Sequence, residues 1–570
     1  MKKPIWILAV LALGALALAQ PKVFKVPNAA ENPVFGGDFR DWTTSDPKTF
    51  NPFVAKETSS TDVIQLMLPT LTDYDPYTGA PEGLLAKSWE VKNNGLTIVF
   101  HLREGAKWSD GQPITADDVV FSAKVHSDPD VGSNSIKSFE LDGSPIVWTK
   151  IDDYTVQADF PKPYAPALIQ GWYIVPKHVF EKAYESGKVA EMWDVGTDPA
   201  AVVSGGPFML DQYVQGERVV LKKNPNFWGV DEKGNQLPYL DRYVFTVVAD
   251  RNAAMAKFLA GELDLYAASD ADQVSQIIER IDDGKLDASI FPNADVTTGT
   301  NFIFFNWNSD DPWKAQLFRN KKFRQAMAHL MDKDSMIELA LGGLGQPQWS
   351  PISIPVKQFF TDDVAKFEYD PAKAAELLAE IGFRSKNAQG VLTDAAGRPL
   401  EFRLSTNQGN NVREKIAQIF AEDANKIGVN VKYAPIAFNE LVRQILNTRD
   451  FDAILIGLTG GREPAFGRNV WELDGPLHMW NYGPDFESFE ILIDKLMKQG
   501  ATTLEQSKRR EIYVRFQQVV AENLPLAYTV APAYNPARLN NVGGLFSKDQ
   551  INSLEGQYPY NYPVTVFKKK

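Results

Sequence analysis

Apolar positions recur along this chain in two alternating rhythms. Leu96 to Leu102 is a short apolar-rich run followed by Gly105, Asp110 and Gly111, and it reads as a strand leading into turns. Val244 to Ala249 is an almost unbroken apolar run, suited to a strand covered on both faces. Ala253 to Leu259 then reads as a helix stopped by Gly261, and Leu263 to Tyr266 as another strand. Later helices carry clear end signals. Asp370-Pro371 is an N-cap with proline in the first turn; Ala374, Leu377, Leu378 and Ile381 share one face, and Gly382 closes the segment. Asn411 to Ile427 repeats the plan, with Ile416, Ile419 and Phe420 inward and Gly428 as the stop. A strand (Val429 to Tyr433), a helix (Phe438 to Leu446) and a strongly apolar strand (Phe451 to Leu458) follow. The last helix runs from Leu504 to Asn523 and the next strand from Leu526 to Val530. This alternation predicts an α/β protein, and 570 residues call for two or more lobes.

The N-terminus bears on the compartment. Lys2 and Lys3 precede an apolar stretch from Ile5 to Leu18, and Ala17-Leu18-Ala19 offers an A-x-A cleavage site before Gln20. This reads as a secretory signal peptide over residues 1–19, too short to span a bilayer. With no cysteine in the chain, disulfides, thiol catalysis, thiolate metal sites and a lipid-bearing first cysteine are all excluded. The expectation is a soluble, monomeric protein of the periplasm or an equivalent outer space. Its formal charge of −13 disfavours nucleic acid and anionic lipid as partners.

Catalytic signatures are missing. No G-x-S-x-G elbow, H-E-x-x-H helix or P-loop occurs, and Gly342-Gly343-Leu344-Gly345 runs into Gln346-Pro347 as a loop. His101, His126, His178, His329 and His478 are scattered without metal-pair spacing. Neither an enzymatic activity nor a cofactor or metal is expected.

A long ordered stretch carries a resemblance. Leu68-Pro69-Thr70-Leu71 leads to Asp75-Pro76-Tyr77-Thr78-Gly79 and Leu85-Ala86-Lys87-Ser88-Trp89. Phe100-His101-Leu102-Arg103-Glu104-Gly105-Ala106-Lys107-Trp108-Ser109-Asp110-Gly111 and Thr115-Ala116-Asp117-Asp118-Val119-Val120-Phe121-Ser122 follow. Further on stand Ser204-Gly205-Gly206-Pro207-Phe208, Lys223-Asn224-Pro225-Asn226-Phe227-Trp228 and Gly261-Glu262-Leu263-Asp264. Together they resemble the large peptide- and nickel-type solute-binding proteins of ABC importers. Locally, Thr115 reads as a helix N-cap with Asp117 and Asp118 near the positive end of the dipole, so these residues are read as scaffold.

The resemblance implies a two-lobed periplasmic-binding-protein fold of type II, hinged like a flytrap, with an extra subdomain inserted in the first lobe. The first lobe falls at 20–62, 196–297 and 526–570, the insert at 63–195 and the second lobe at 298–525. Thr297 to Asn306 and Leu526 to Val530 become the crossings between lobes. A ligand would lie in the cleft, and the closed form would dock on the permease subunits of the transporter.

For a peptide ligand, the resemblance places extended edges at Thr43 to Asp46 (Thr44, Ser45, Asp46) and at Ile456, Gly457, Leu458 and Thr459, with Asn306 and Asn407 nearby. Peptide-binding relatives carry an aspartate for the ligand's α-amino group. Here that position falls on Gly461, and Leu458 stands where the relatives have tryptophan, so Glu463 becomes the candidate amine anchor. Arg462 and Arg468 are candidates for a carboxylate or phosphate. Trp471, His478, Trp480 and Tyr482 would suit sugar faces, which keeps an oligosaccharide as the alternative ligand. A nickel chelate comes after it, and an exported hydrolase on the same scaffold is a distant alternative.

Overall fold

The computed structural model describes residues 21–27, 33–75, 79–545 and 563–569. The expected signal peptide, its cleavage point before Gln20, and Pro76-Tyr77-Thr78 of the motif lie outside them. Among the described residues, no helix is long and apolar enough to cross a membrane.

Four sheets organise the chain. One runs in the order Phe208–Val214, Arg218–Lys223, Arg242–Val247 and Asp38–Thr43, the last two parallel, with Thr43 opposite Val247. The strand expected at Val244 to Ala249 sits two residues earlier because Asp250 is needed as a cap: its carboxylate accepts from the Ala253 N–H and starts the Arg251–Leu259 helix. An antiparallel sheet of Ala86–Lys92, Thr97–Leu102, Thr155–Asp159 and Val147–Asp152 carries the insert. Here the signature residues are scaffold. Thr115 and Asp118 form a capping box, Asp118 also accepts from the Lys177 N–H at 2.9 Å, and Trp108 is fully buried.

The third sheet is mixed, in the order Asn430–Ile436, Glu401–Asn407, Ala453–Leu458, Thr300–Phe305 and Ala527–Tyr528. Its core is rich in phenylalanine and aliphatic side chains and is separate from the core that contains the insert and the first sheet. The Asn411–Ile427 helix packs on it with the bounds read from sequence, and Gly428 ends that helix at φ 100°. The fourth sheet is built around Val530–Leu539, which pairs with Leu265–Ala268, Ala288–Ile290, Asp295–Val296 and Gly345–Pro347.

The chain crosses between the two cores at two neighbouring places. Val296 pairs in the fourth sheet and Thr300 already in the third, so residues 297–299 make one crossing. Tyr528 pairs with Phe302 in the third sheet and Val530 with Pro347 in the fourth, leaving Thr529 as the other. The strand expected at Leu526 to Val530 is thus two strands. Thr529 ties the crossings together by donating its N–H to Asn301 O at 2.9 Å.

Candidate functional site

Beside these crossings lies a cavity of about 430 Å³, within the range of small-ligand sites. Both lobes line it. From the first come Arg251, Ala267 to Ser269, and Ala533 with Tyr534; from the second come Asn301, Arg413 and the strand end Ile456 to Thr459. One wall is apolar, made of Phe438, Val442, Ile445, Leu446, Leu477 and Met479.

The backbone at the strand end is distinctive. Ala453 and Ile454 pair with the Glu401–Asn407 strand, but that pairing stops there, while the other edge stays paired with Thr300–Phe305 up to Leu458. From Ile456 onward one edge carries no strand partner among the described residues, and it borders the cavity. Gly457 is required at this point, since a Cβ there would collide with Thr300 O and with Arg413 Nη2.

Two guanidinium groups dominate the electrostatics. Arg413 donates Nε–H to Asn301 Oδ1 at 2.9 Å and Nη1–H to Asn407 Oδ1 at 3.0 Å. Arg251 donates to Ala267 O at 3.2 Å and lies over the Trp42 ring, while its buried Nε–H has no partner. Among the described residues no carboxylate pairs with either. Burial, reinforced by the charge of Arg251, pushes Arg413 down to about 10, so it stays cationic at neutral pH. The cavity's carboxylate, Glu57, is already engaged by Ser60 Oγ and the Lys48 N–H. Both arginines occupy first turns of helices, where the dipole adds to a positive charge instead of offsetting it.

The lobes touch on both sides of the cavity. Arg251 N–H donates to Gly409 O at 3.2 Å, and Gly409, at φ 85°, comes so near Ala249 O that no side chain fits. Lys48 Nζ reaches Asn439 O at 3.3 Å. On the insert side, Ala165 N–H donates to Ala501 O at 2.8 Å and Arg468 Nη1 to Glu140 O at 3.0 Å.

Comparison with known proteins decides the family. Residues 80–471 match the family described as Bacterial extracellular solute-binding proteins, family 5 Middle. The chain belongs to this family, the solute-binding proteins of ABC importers. It is 38% identical over 569 residues to a "Probable ABC transporter-binding protein" of Deinococcus radiodurans, covering 95% of this chain and 96% of that one. The oligopeptide-binding protein AppA of Bacillus subtilis, solved with a nonapeptide, superposes with a TM-score of 0.78 at 26% identity, over 93% of this chain and 100% of the other. The periplasmic binding protein MelB of Agrobacterium fabrum, solved with stachyose, has a TM-score of 0.81 at 21% identity, over 96% and 87%, and shows the shared fold.

In this solute-binding protein the expected site residues separate into three groups. Ile456, Gly457, Leu458 and Thr459 line the cavity. Asn407 stands one layer behind, orienting Arg413. The others are placed elsewhere. Asp46 accepts from Tyr213 Oη at 2.9 Å and the Gly216 N–H at 2.8 Å, Ser45 bonds Ser59, and neither they nor Thr44 border the cavity. Asn306 donates inward to Arg449 O and Phe451 O. Trp471 packs edge-on against Phe516, and Trp480 donates Nε1–H to Glu490 at 2.7 Å, both buried. These two rings offer no face to a sugar.

Glu463 corrects the amine-anchor expectation. It is 4% exposed, ion-paired to Arg509, and accepts from the Ala465 N–H at 3.1 Å. A carboxylate so engaged has no place for a ligand ammonium. Sequence reading missed Arg251, Arg413 and Asn301. The available signal was a cation in a helix's first turn, where an acid is favoured.

Proposed function

We propose that this chain captures a short peptide between its lobes and presents it, closed, to the permease of its importer. The observation that carries the reading is the unpaired edge at Ile456 to Thr459, open to the cavity on one side and held by the Thr300–Phe305 strand on the other. An extended main chain can add to such an edge, while the apolar wall receives side chains. Hydrogen bonds to backbone tolerate varied sequences, as a peptide scavenger requires. The cavity is lined by the 297–299 crossing and by residues of both lobes, so a ligand touching both lobes favours the closed form over the open one. One relative named as a probable ABC transporter-binding protein and another named as an oligopeptide-binding protein support the receptor reading.

Mass spectrometry of the species released on denaturing the purified protein tests it. Peptides are the expected result. A neutral oligosaccharide, of the kind in the MelB complex, would replace the peptide reading. Cleaved product appearing during incubation would replace the receptor reading itself.

A further inference from the structure

We propose that the insert works as a clasp on the second lobe and sets how long a bound ligand stays, without touching that ligand. The proposal rests on the receptor reading above and adds a second determinant of release to the contacts in the cavity.

The junction is built from charges that cross between the lobes. The second lobe gathers three acids, Glu472, Asp474 and Asp494, with one oxygen of each within 4.8 Å of the others. Lys498, on the same lobe, answers Asp494 at 2.8 Å. The cation for the other two comes from the insert. Lys137 Nζ pairs with Asp474 and stands 3.7 Å from Glu472 Oε2, and it also pairs with Glu140 of its own segment. Arg468 reaches the opposite way. Its Nε–H donates to Glu472 in its own lobe, while Nη1–H donates to Lys137 O and, at 3.0 Å, to Glu140 O of the insert. Lys137, Arg468 and Glu472 are all buried. Backbone and small apolar groups complete the contact: Ala165 N–H donates to Ala501 O at 2.8 Å, and Ala465 and Ala501 pack in the core that holds the insert.

The same residues are built to part. When the insert leaves, Lys137 keeps Glu140 and Glu472 keeps Arg468, while the Asp474 side chain, already 67% exposed, turns to water. No buried charge is stranded, so separation avoids the penalty of an unpaired interior ion. None of these residues lines the cavity or belongs to the crossings at 297–299 and 529. The insert shares one core with the first lobe, so hinge motion at those crossings pulls it away from the second. Contacts available only when the lobes meet favour the closed form. The clasp therefore holds in whatever the cavity has accepted and lengthens its stay equally for every ligand.

The test uses the full chain, which has no cysteine of its own. Ala165→Cys with Ala501→Cys places one thiol pair across the junction, and its rate of disulfide formation with an added oxidant reports contact between insert and second lobe. Cross-linking should shrink the radius of gyration of ligand-free protein in small-angle scattering. Weakening the clasp should slow cross-linking, about threefold for Asp474→Asn and about tenfold for Lys137→Gln. In the parent background both variants should release random tetrapeptides faster by similar factors, followed by native mass spectrometry after a chase, with the order of preference among peptides unchanged. Asp474→Asn should keep the parental unfolding midpoint, so the test survives if Lys137→Gln fails to fold. Equal cross-linking rates in all forms, or one radius of gyration before and after cross-linking, overturn the clasp and leave the receptor reading standing. If no form retains a tetrapeptide, the peptide reading fails, and the cross-linking rates still decide the clasp.

Discussion

Two sets of buried charges meet between the lobes of this protein, and they are built in opposite ways. Where the insert touches the second lobe, charges are matched inside the chain. Arg509 pairs with Glu463, Arg468 with Glu472, and Lys137 with Glu140 and Asp474. At the cavity, the hydrogen bonds of Arg251 and Arg413 go to carbonyl and amide oxygens, and Arg251 also lies over the Trp42 ring. The first set is structure: pairs of this kind hold their place because removing either member strands the other. The second set has no acidic partner among the described residues. The contrast teaches that an arginine near a cleft is informative only once its partners are known, since Arg468 and Arg413 are the same residue type with opposite meanings.

The largest expected effect breaks the matched set. Glu463→Gln strands the Arg509 guanidinium, whose side chain is 8% exposed, and should cost ~3–5 kcal/mol, seen as a lowered denaturant midpoint. Ligand selectivity should be unchanged in whatever folded protein remains. Loss of peptide binding with unaltered stability would return Glu463 to the ligand site.

The second effect is the mirror image. Arg413→Gln removes a cation that has no counter-charge, so ligand-free stability should hold within about 1 kcal/mol. Binding should fall about a hundredfold, or ~2.7 kcal/mol. A large stability loss would mean that Arg413 is structural, like Arg509.

How much of this was legible in the sequence follows from the kind of signal each feature leaves. The Asn411–Ile427 helix was read to the residue because cap, apolar face and terminal glycine agree. The signature around Trp108 to Ser122 gave the family, and its local reading as scaffold agrees with the capping box at Thr115 and Asp118. Val530–Leu539 was cut short because Pro532 and Pro536 argue against a central strand, and only pairing with four short partners shows it to be one. The helices Ala271–Asp282 and Ser488–Thr502 stand outside the sequence expectation, although Asp270 and Glu487 cap them. The strand end from Ile456 lines the cavity, and its place in the chain follows from the family's order of elements. Glu463 was misplaced because nearness in sequence to a lost aspartate says nothing about Arg509, 46 residues on. Arg251 and Arg413 lie far apart in sequence, and only the fold brings them to one cavity.

The smallest effect sharpens the comparison from the acidic side. Asp62 and Asp73 have no basic partner among the described residues, and burial pushes each up to about 7, helped by Asp41 for Asp62 and Glu82 for Asp73. An unfolded aspartate titrates near 3.9, so between about pH 4 and 7 the folded protein binds more protons. The stability these groups contribute is therefore present below pH ~4 and lost as pH rises through 7. Asp73→Asn should match the parent at pH 4 and exceed it at pH 8 by ~1–3 kcal/mol, allowing for its partial exposure. Equal pH profiles would mean that Asp73 has a cation partner in solution.

The proposed function requires the lobes to close on a bound ligand, and an acidic group supplied at the cavity is expected to close them. Arg251→Glu supplies it from within, placing a carboxylate opposite Arg413. Small-angle scattering on ligand-free protein measures the outcome. The parent should have the larger radius of gyration and contract on binding a free-acid peptide. The Arg251→Glu variant should already show the contracted value without ligand. If parent and variant are equally extended without ligand, or the parent does not contract when saturated, the closure account is wrong.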